Sequence, residues 1–363
     1  MKDKNNVKVK LENRKIYIDI LKIIAILFVF YNHTGRVGFS HFLDARDSNF
    51  YFLDMAISIM CKVAVPIFFM CSGALLLGKE ESLKKVIKKR FIKYFIVILI
   101  SSIILYVYLH FRVDTSGSFS IMHFINKIYT GQVVESYWYL YTYLAYLLML
   151  PIIRKFVKEM SQKEYLYMII LFAIINILPI IDFLIFQGKA AHNGNFYFFI
   201  TTSYLFYPMI GYFIDNKLDR KYFNRKKLII MIIASCISII ISCLMTNYKC
   251  NLLNTWEEDT SQTFFNNLSF IPTITLFYGI KMLVMDRKMS ERLTNIIAFV
   301  GSTTFGLYLF EKIFRQESVV VYFALWKYIH RIPASIAWVV AEFIIGVIVI
   351  AILKKIPVIK KYI

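Results

Sequence analysis

The sequence predicts an all-α integral membrane bundle of about ten transmembrane helices, with both termini in the cytoplasm. Of the 363 residues, 58% are hydrophobic, and the mean hydropathy is +0.59. The chain repeats apolar runs of about 20 residues, the length that spans a bilayer, and soluble domains do not contain such repeats. A single membrane domain over residues 1–363, with no separate soluble domain, is therefore expected.

The ten spans follow from apolar length and end where charged residues return. In chain order they are predicted over residues 16–33, 52–78, 92–111, 137–153, 165–186, 197–214, 228–246, 265–285, 295–311 and 334–353. Of the 43 Lys and Arg residues, 31 lie in the two terminal segments and alternate links, and 10 lie in the intervening links. Because basic links face the cytoplasm, this alternation places both termini there and agrees with an even number of spans.

The charge and the cysteines exclude some functions. The net charge of +20 lies between apolar spans, as expected for links beside an anionic leaflet rather than for a nucleic-acid surface. The five cysteines show neither CxxC nor metal-ligand spacing, so they are expected to pack as small apolar side chains; they are Cys61, Cys71, Cys236, Cys243 and Cys250. No bound cofactor and no metal site are expected.

Three ionisable residues share one face of the first predicted helix. At 100° per residue, Lys22 lies about 20° and Asp19 about 40° from His33, and Asp19 and His33 are about 21 Å apart along the axis. Exposing this face to lipid would cost several kcal/mol, so it is expected to point into the bundle, with His33 near the outer end. An Asp19–Lys22 ion pair at the inner interface, and a structural role for His33, are the alternatives.

The second predicted helix combines a charge with residues that alter helix geometry. Lys62 is expected in its outer half, roughly level with His33. Pro66 removes a backbone donor, and Ser72 with Gly73 permits either a close helix approach or local unwinding. A kinked packing helix without a function is the alternative.

Three further positions carry candidate functions. The basic stretch 84–93, which includes Arg90 and Lys93, fits an ordinary cytoplasmic link or the phosphates of a nucleotide-like donor. Trp138 opens the fourth predicted helix and is typical of an interfacial aromatic belt. Glu311 ends the ninth, where it would orient His33 or pair with an arginine one turn later.

Together, and in this order, these stretches resemble the integral-membrane acyltransferase 3 family. The resemblance covers essentially the whole chain and is carried by Asp19-x-x-Lys22 with His33, Val65-Pro66-Ile-Phe-Phe-Met-Cys-Ser72-Gly73, the basic run to Arg90-x-x-Lys93, Trp138-Tyr-Leu-Tyr141, Phe206-Tyr-Pro-Met-Ile-Gly211 and Ser302-Thr-Thr-Phe-Gly306-Leu-Tyr308.

The resemblance implies ten transmembrane helices and transfer of an acyl group, commonly acetyl, from cytosolic acyl-CoA to a carbohydrate outside. The family's essential histidine falls on His33, and its R-x-x-R motif falls on Arg90-x-x-Lys93, where Lys keeps the charge but not the bidentate fork. The first-helix Asp-Gly-Leu-Arg pattern is here Asp19-Ile-Leu-Lys22, and Glu311 stands where the family often has a histidine.

The first hypothesis is a membrane O-acyltransferase. Arg90, Lys93 and Lys22 would bind the phosphates of acyl-CoA, and His33 would act as general base or carry the acyl group. The supporting residues would be Asp19, Lys62, Ser72, Trp138 and Glu311. The acceptor would be a cell-surface glycan or a lipid-linked sugar, and the location the bacterial cytoplasmic membrane. The alternatives are a transporter or flippase of a polysaccharide or small molecule and, less favoured, a sensor or regulatory subunit.

Overall fold

The computed structural model describes residues 14–113, 119–198, 202–357 and 359, and in this part of the chain all regular structure is helical. The principal helices are α1 (Ile16–Asn32), α2 (Tyr51–Cys61), α3 (Ala64–Leu76), α4 (Leu83–Arg112, with a π-helical turn over Ile87–Phe91), α5 (Ile121–Thr130), α6 (Trp138–Glu159), α7 (Gln162–Phe186), α8 (Ser203–Tyr212), α9 (Arg225–Leu253), α10 (Phe270–Val284), α11 (Glu291–Leu325) and α12 (Arg331–Leu353).

Among the described residues, seven helical stretches are long and apolar enough to cross a membrane: Tyr51–Leu76, Leu83–Arg112, Glu135–Glu159, Gln162–Phe186, Arg225–Leu253, Glu291–Leu325 and Arg331–Leu353. α10 is apolar but shorter. The all-helical membrane fold is therefore confirmed, whereas the count of ten and the side of the termini stay predictions. Residues 1–13 and 360–363, at the termini, and residues 199–201, in the sixth predicted span, lie outside the described residues.

The ninth predicted span is shorter than the helix that contains it. α11 has 35 residues and continues well past Glu311 to Leu325. The prediction ended the span at a charged cluster, but Glu311 pairs with Arg315 one turn later at 3.0 Å, a spacing that a helix favours. Beyond it, Ser318 and Tyr322 are buried at helical spacing. The charges thus lie within a continuing amphipathic helix.

The break in the second predicted span occurs before the proline, not at it. α2 ends at Cys61, α3 begins at Ala64, and Lys62 lies in the link between them. Pro66 falls in the first turn of α3, where its missing N–H costs little because first-turn N–H groups have no intrahelical acceptor. Pro66 also has no N–H to offer the carbonyl of Lys62, four residues earlier, so the interruption at the α2–α3 link lies where this proline would break a helix.

The chain divides into two compact units. The first contains the residues up to Gly78 and Glu159–Ser302. Within it α1 packs against α2, α3 and α10, and α3 packs closely against α8. Leu21, Ala25 and Ile26 on α1 are fully buried, so the apolar side of this helix contributes to the core.

The second unit contains Lys79–Lys158 and the residues from Thr303 onward. The later part of α11 and α12 form an antiparallel pair: a Cβ on Gly306 would meet Ile350, and a Cβ on Gly346 would meet Leu307. α6 contacts this pair through Tyr137, the residue just before the helix. The Tyr137 hydroxyl donates to the carbonyl of Leu309 at 2.8 Å.

Candidate active site

Asp19, near the start of α1, is held by an arginine that the sequence analysis did not select. Arg14 donates from Nε to Asp19 Oδ2 at 2.5 Å and from Nη2 to Oδ1 at 2.9 Å, and also reaches the carbonyl of Ala298 at 2.9 Å. The Nζ of Lys22 is 4.0 Å from the same carboxylate. The predicted Asp19–Lys22 pair is therefore a secondary contact. Arg14 precedes the apolar run, so the helical periodicity gave no signal for it.

A second buried carboxylate anchors the same end of α1. Asp215 lies in a π-helical turn after α8 and accepts hydrogen bonds from Lys15, Tyr17 and Lys281. Burial opposes its ionisation, but the hydrogen bonds from Lys15 and Tyr17 and the charge of Lys281 outweigh burial and hold the pKa of Asp215 below its usual value. Asp215 was not predictable from the sequence, because its partners lie far away along the chain.

His33 ends α1 at a firmly held position. Its φ of −98° and ψ of 6° lie in the sparsely populated bridge region, and its backbone N–H points back to the last turn of the helix. The next residue, Thr34, donates to the carbonyl of Tyr31 at 2.7 Å and accepts from the N–H of Phe39 at 2.8 Å. The half-buried imidazole therefore lies at the junction between α1 and an ordered loop.

Lys62 lies at the His33 end of α1. The side-chain amide of Asn32 donates to the carbonyl of Cys61 at 2.8 Å, which joins the end of α1 to the α2–α3 link. Lys62 Nζ donates to Gln262 Oε1 at 2.9 Å and lies 4.5 Å from the ring centroid of Phe39. An amide oxygen and an aromatic face together stabilise the ammonium group.

A buried imidazole–carboxylate pair lies shortly after His33 in the chain, and it was not predicted from the sequence. His41 Nδ1 lies 2.7 Å from Asp54 Oδ2, and both side chains are buried. Ser58 Oγ donates to the carbonyl of Phe39 at 2.5 Å and to that of Asp54 at 3.0 Å. These contacts fasten the loop after His33 to α2.

Ser72 and Gly73 mark a close helix crossing. A Cβ on Gly73 would stand 1.8 Å from the carbonyl oxygen of Pro208, and a Cβ on Gly211 would stand 2.1 Å from that of Met70. The backbones of α3 and α8 therefore touch, which small residues permit. α3 stays helical through this point to its end, so the close approach occurs and the local unwinding does not.

In the second unit, the predicted donor-binding residue Arg90 is engaged by a carboxylate. Arg90 donates from Nε and Nη2 to Glu81 at 2.8 and 2.9 Å, and Arg154 Nη2 donates to the same carboxylate at 2.8 Å. Lys93, three residues beyond Arg90, is half-buried, whereas Lys22 belongs to the first unit. Glu81 and Arg154 were not selected from the sequence.

The aromatic and acidic candidates of the second unit differ in their surroundings. Trp138 is 41% exposed, whereas its neighbour Tyr137 is fully buried. Glu311 is buried and pairs with Arg315, which is one of the two contacts considered for it. Its contact with His33 stays a prediction.

α12 carries a buried carboxyl group that the sequence analysis did not select. Glu342 is 0% exposed, and neither of its carboxyl oxygens has a hydrogen-bond partner among the described residues. One turn before it, Trp338 Nε1 donates to Ser318 Oγ at 2.9 Å; one turn after it, a Cβ on Gly346 would meet Phe314. These flanking contacts place Glu342 beside α11. A single carboxyl-bearing residue within an apolar span usually has a function, so the sequence alone could have indicated Glu342 as a candidate.

These features define a class of protein: a polytopic helical membrane protein with polar side chains buried inside its helical units. Within the described part of the chain, no three His, Cys, Asp or Glu side chains gather as a metal site would require. The family model of an acyltransferase domain, that of the acyltransferase 3 family, matches residues 15–355, nearly the whole chain. The protein belongs to this family and is a membrane acyltransferase. No curated protein and no solved structure matches the chain.

Proposed function

We propose that this acyltransferase moves an acyl group, commonly acetyl, from cytosolic acyl-CoA to a hydroxyl of an extracytoplasmic carbohydrate. The match of the family model over residues 15–355 carries this proposal. The seven long apolar helices support it, because they provide a bilayer-spanning body in which chemistry can be shielded from water. The proposed location is the bacterial cytoplasmic membrane.

His33 would be the reacting group. As a general base it would take the proton of the acceptor hydroxyl while the hydroxyl oxygen attacks the thioester carbonyl. The new C–O bond forms, the C–S bond breaks, and the CoA thiolate leaves and gains a proton. As an acyl carrier, His33 would first replace the thiolate and then pass the acyl group to the hydroxyl. Its ordered position at the end of α1 suits either role.

The donor would bind through its phosphates to basic side chains. Arg90 offers a planar guanidinium for a phosphate oxygen pair, and Lys93 adds a second charge nearby. Lys22 is the third proposed contact. Asp19, Lys62, Ser72, Trp138 and Glu311 are the proposed supporting residues. The acceptor would be a cell-surface glycan or a lipid-linked sugar, and the class of transferred group would be an acyl group other than aminoacyl.

A two-compartment assay tests this function. Purified protein is placed in vesicles with acetyl-CoA carrying labelled acetyl inside and an oligosaccharide acceptor outside, and the acceptor is analysed by mass spectrometry. Acyltransfer predicts covalent label on the external oligosaccharide, dependent on protein and on acetyl-CoA. Passage of unmodified solute without label on the acceptor would support the transporter alternative and contradict the proposal.

A further inference from the structure

The carboxylate of Glu81 bridges two arginines from different helices of the second unit. It accepts a bidentate pair of hydrogen bonds from Arg90 on α4 and a further one from Arg154 on α6, all between 2.8 and 2.9 Å. Lys85 Nζ lies 3.4 Å away. The side chains of Glu81 and Arg154 are only 8% and 9% exposed. One carboxylate thus gathers three cations, of which Arg154 is the most shielded from solvent and Lys85 the least, and charge-assisted hydrogen bonds of this kind are strong.

The backbone around the cluster differs on its two sides. Arg90 belongs to the π-helical turn of α4, and such turns are frequent at functional sites. Arg154 lies in α6. Glu81, in contrast, lies in the non-helical link over residues 79–82, so moving its carboxylate requires no helix to break. Both arginines therefore belong to helices, whereas the Glu81 carboxylate between them belongs to a link.

A bridging carboxylate on two guanidinium groups occupies the same donors that a phosphate would use. Arginine binds both groups through paired N–H donors in one plane, and a phosphate supplies more oxygens and more charge. We propose that Arg90 and Arg154 form one anion site, and that Glu81 occupies it until a phosphate of the acyl-CoA donor displaces the carboxylate. This inference rests on the donor role proposed above and adds Arg154 as a binding residue.

Protonation cannot release Glu81 at physiological pH. The hydrogen bond from Arg90, ahead of that from Arg154, lowers the pKa of Glu81 to about 2. The carboxylate therefore stays charged, and only a competing anion removes it from the arginines. Glu81 then acts as an internal competitor of the donor.

The displacement is tested by measuring the binding of CoA to the purified full-length protein with calorimetry. Glu81→Gln removes the competing charge while keeping a hydrogen-bond acceptor, so CoA should bind about fivefold more tightly. Glu80→Gln is the matched control: the neighbouring carboxylate is exposed and only 3.7 Å from Lys158, and its loss changes the net charge equally. It should leave the Kd unchanged. Arg154→Gln and Arg90→Gln should each weaken CoA binding, because each removes a guanidinium group from the shared site.

The outcomes separate this inference from the donor proposal. If Glu81→Gln binds CoA as weakly as the wild type or more weakly, Glu81 does not compete and the displacement is wrong. If Arg154→Gln leaves binding unchanged while Arg90→Gln weakens it, the shared site is wrong but the donor role of Arg90 stands. Inorganic pyrophosphate serves as a second probe. If Glu81→Gln binds pyrophosphate more tightly than the wild type but no variant binds CoA, the result would support displacement of Glu81 by a phosphate and contradict acyl-CoA as the donor. A thermal unfolding curve for each variant verifies folding.

Discussion

The charged side chains at the start of α1 are paired within the first unit, either with neighbours in the chain or with distant residues. Burying an unpaired carboxylate costs several kcal/mol, whereas a paired and hydrogen-bonded one is tolerated. Asp19 meets Arg14, and Asp215 meets Lys15 and Lys281. These contacts fix the end of the helix that lies opposite His33.

Asp215→Asn should destabilise the protein by about 2–4 kcal/mol, because the largely buried Lys281 would lose its carboxylate partner, and so would the more exposed Lys15. The control is Asp219→Asn, since Asp219 and its partner Lys221 are both exposed and such pairs contribute less than about 1 kcal/mol. Thermal unfolding of the purified variants in one detergent measures both effects. Equal losses in the two variants would contradict the anchoring role of Asp215.

The contribution of Asp215 should also depend on pH in a stated direction. Its pKa is lowered in the folded protein, so its stabilisation is complete above the ordinary aspartate pKa of about 3.9 and decreases as the pH falls below that value. The difference in melting temperature between wild type and Asp215→Asn should therefore shrink on acidification below about pH 4. A difference that grew under acid would mean that the native pKa is raised.

Some of these residues were predictable and others were not. The 100° periodicity of a helix predicts that Asp19, Lys22 and His33 share one face, and the structure brings Lys22 to 4.0 Å from Asp19. Their partners were not predictable, because Lys15 and Asp215 are 200 residues apart and meet only through the fold. The same applies to Glu81 and Arg154, which are 73 residues apart.

At the scale of elements, the crossing of α3 and α8 is set by two glycines. Gly73→Ala should destabilise the protein by about 1–3 kcal/mol or more, since its Cβ would overlap the backbone at Pro208 and overpacked sites relax poorly. Gly194→Ala is the control, because nothing lies within 4 Å of its Cβ position. The yield of folded protein and the melting temperature measure the effect. A Gly73→Ala variant as stable as Gly194→Ala would contradict the crossing.

The same helices show what sequence patterns predict about elements. The pair Ser72–Gly73 predicted a close approach, but not that α8 would be the partner. Pro66 indicated a disturbed helix, and the second predicted span is interrupted four residues before it, at the α2–α3 link. The predicted end of α11 at Glu311 came too early. A criterion of apolar length ends a span at charged residues, even when these charges are paired with each other within the helix.

At the scale of the whole molecule, the alternation of basic links predicts which side of the membrane each link faces. A single reporter cysteine at Arg36 should react with a membrane-impermeant maleimide on intact cells, whereas one at Lys88 should react only after permeabilisation. Both positions are exposed. The unaltered protein, with its five native cysteines, supplies the background. Labelling of the two positions from the same side would contradict a single crossing by the second predicted span.

The measurement that tests the proposed chemistry most directly is acyl transfer by His33→Ala in the two-compartment vesicle assay. The control is His192→Ala, which removes another partly exposed histidine. His192 lies in a loop and pairs with Asp182 of α7. With equal amounts of folded protein, His192→Ala should transfer label at the wild-type rate. His33→Ala should lose at least about 100-fold, the usual contribution of a general base. Transfer by His33→Ala at the wild-type rate would contradict the assignment of His33 as the reacting group.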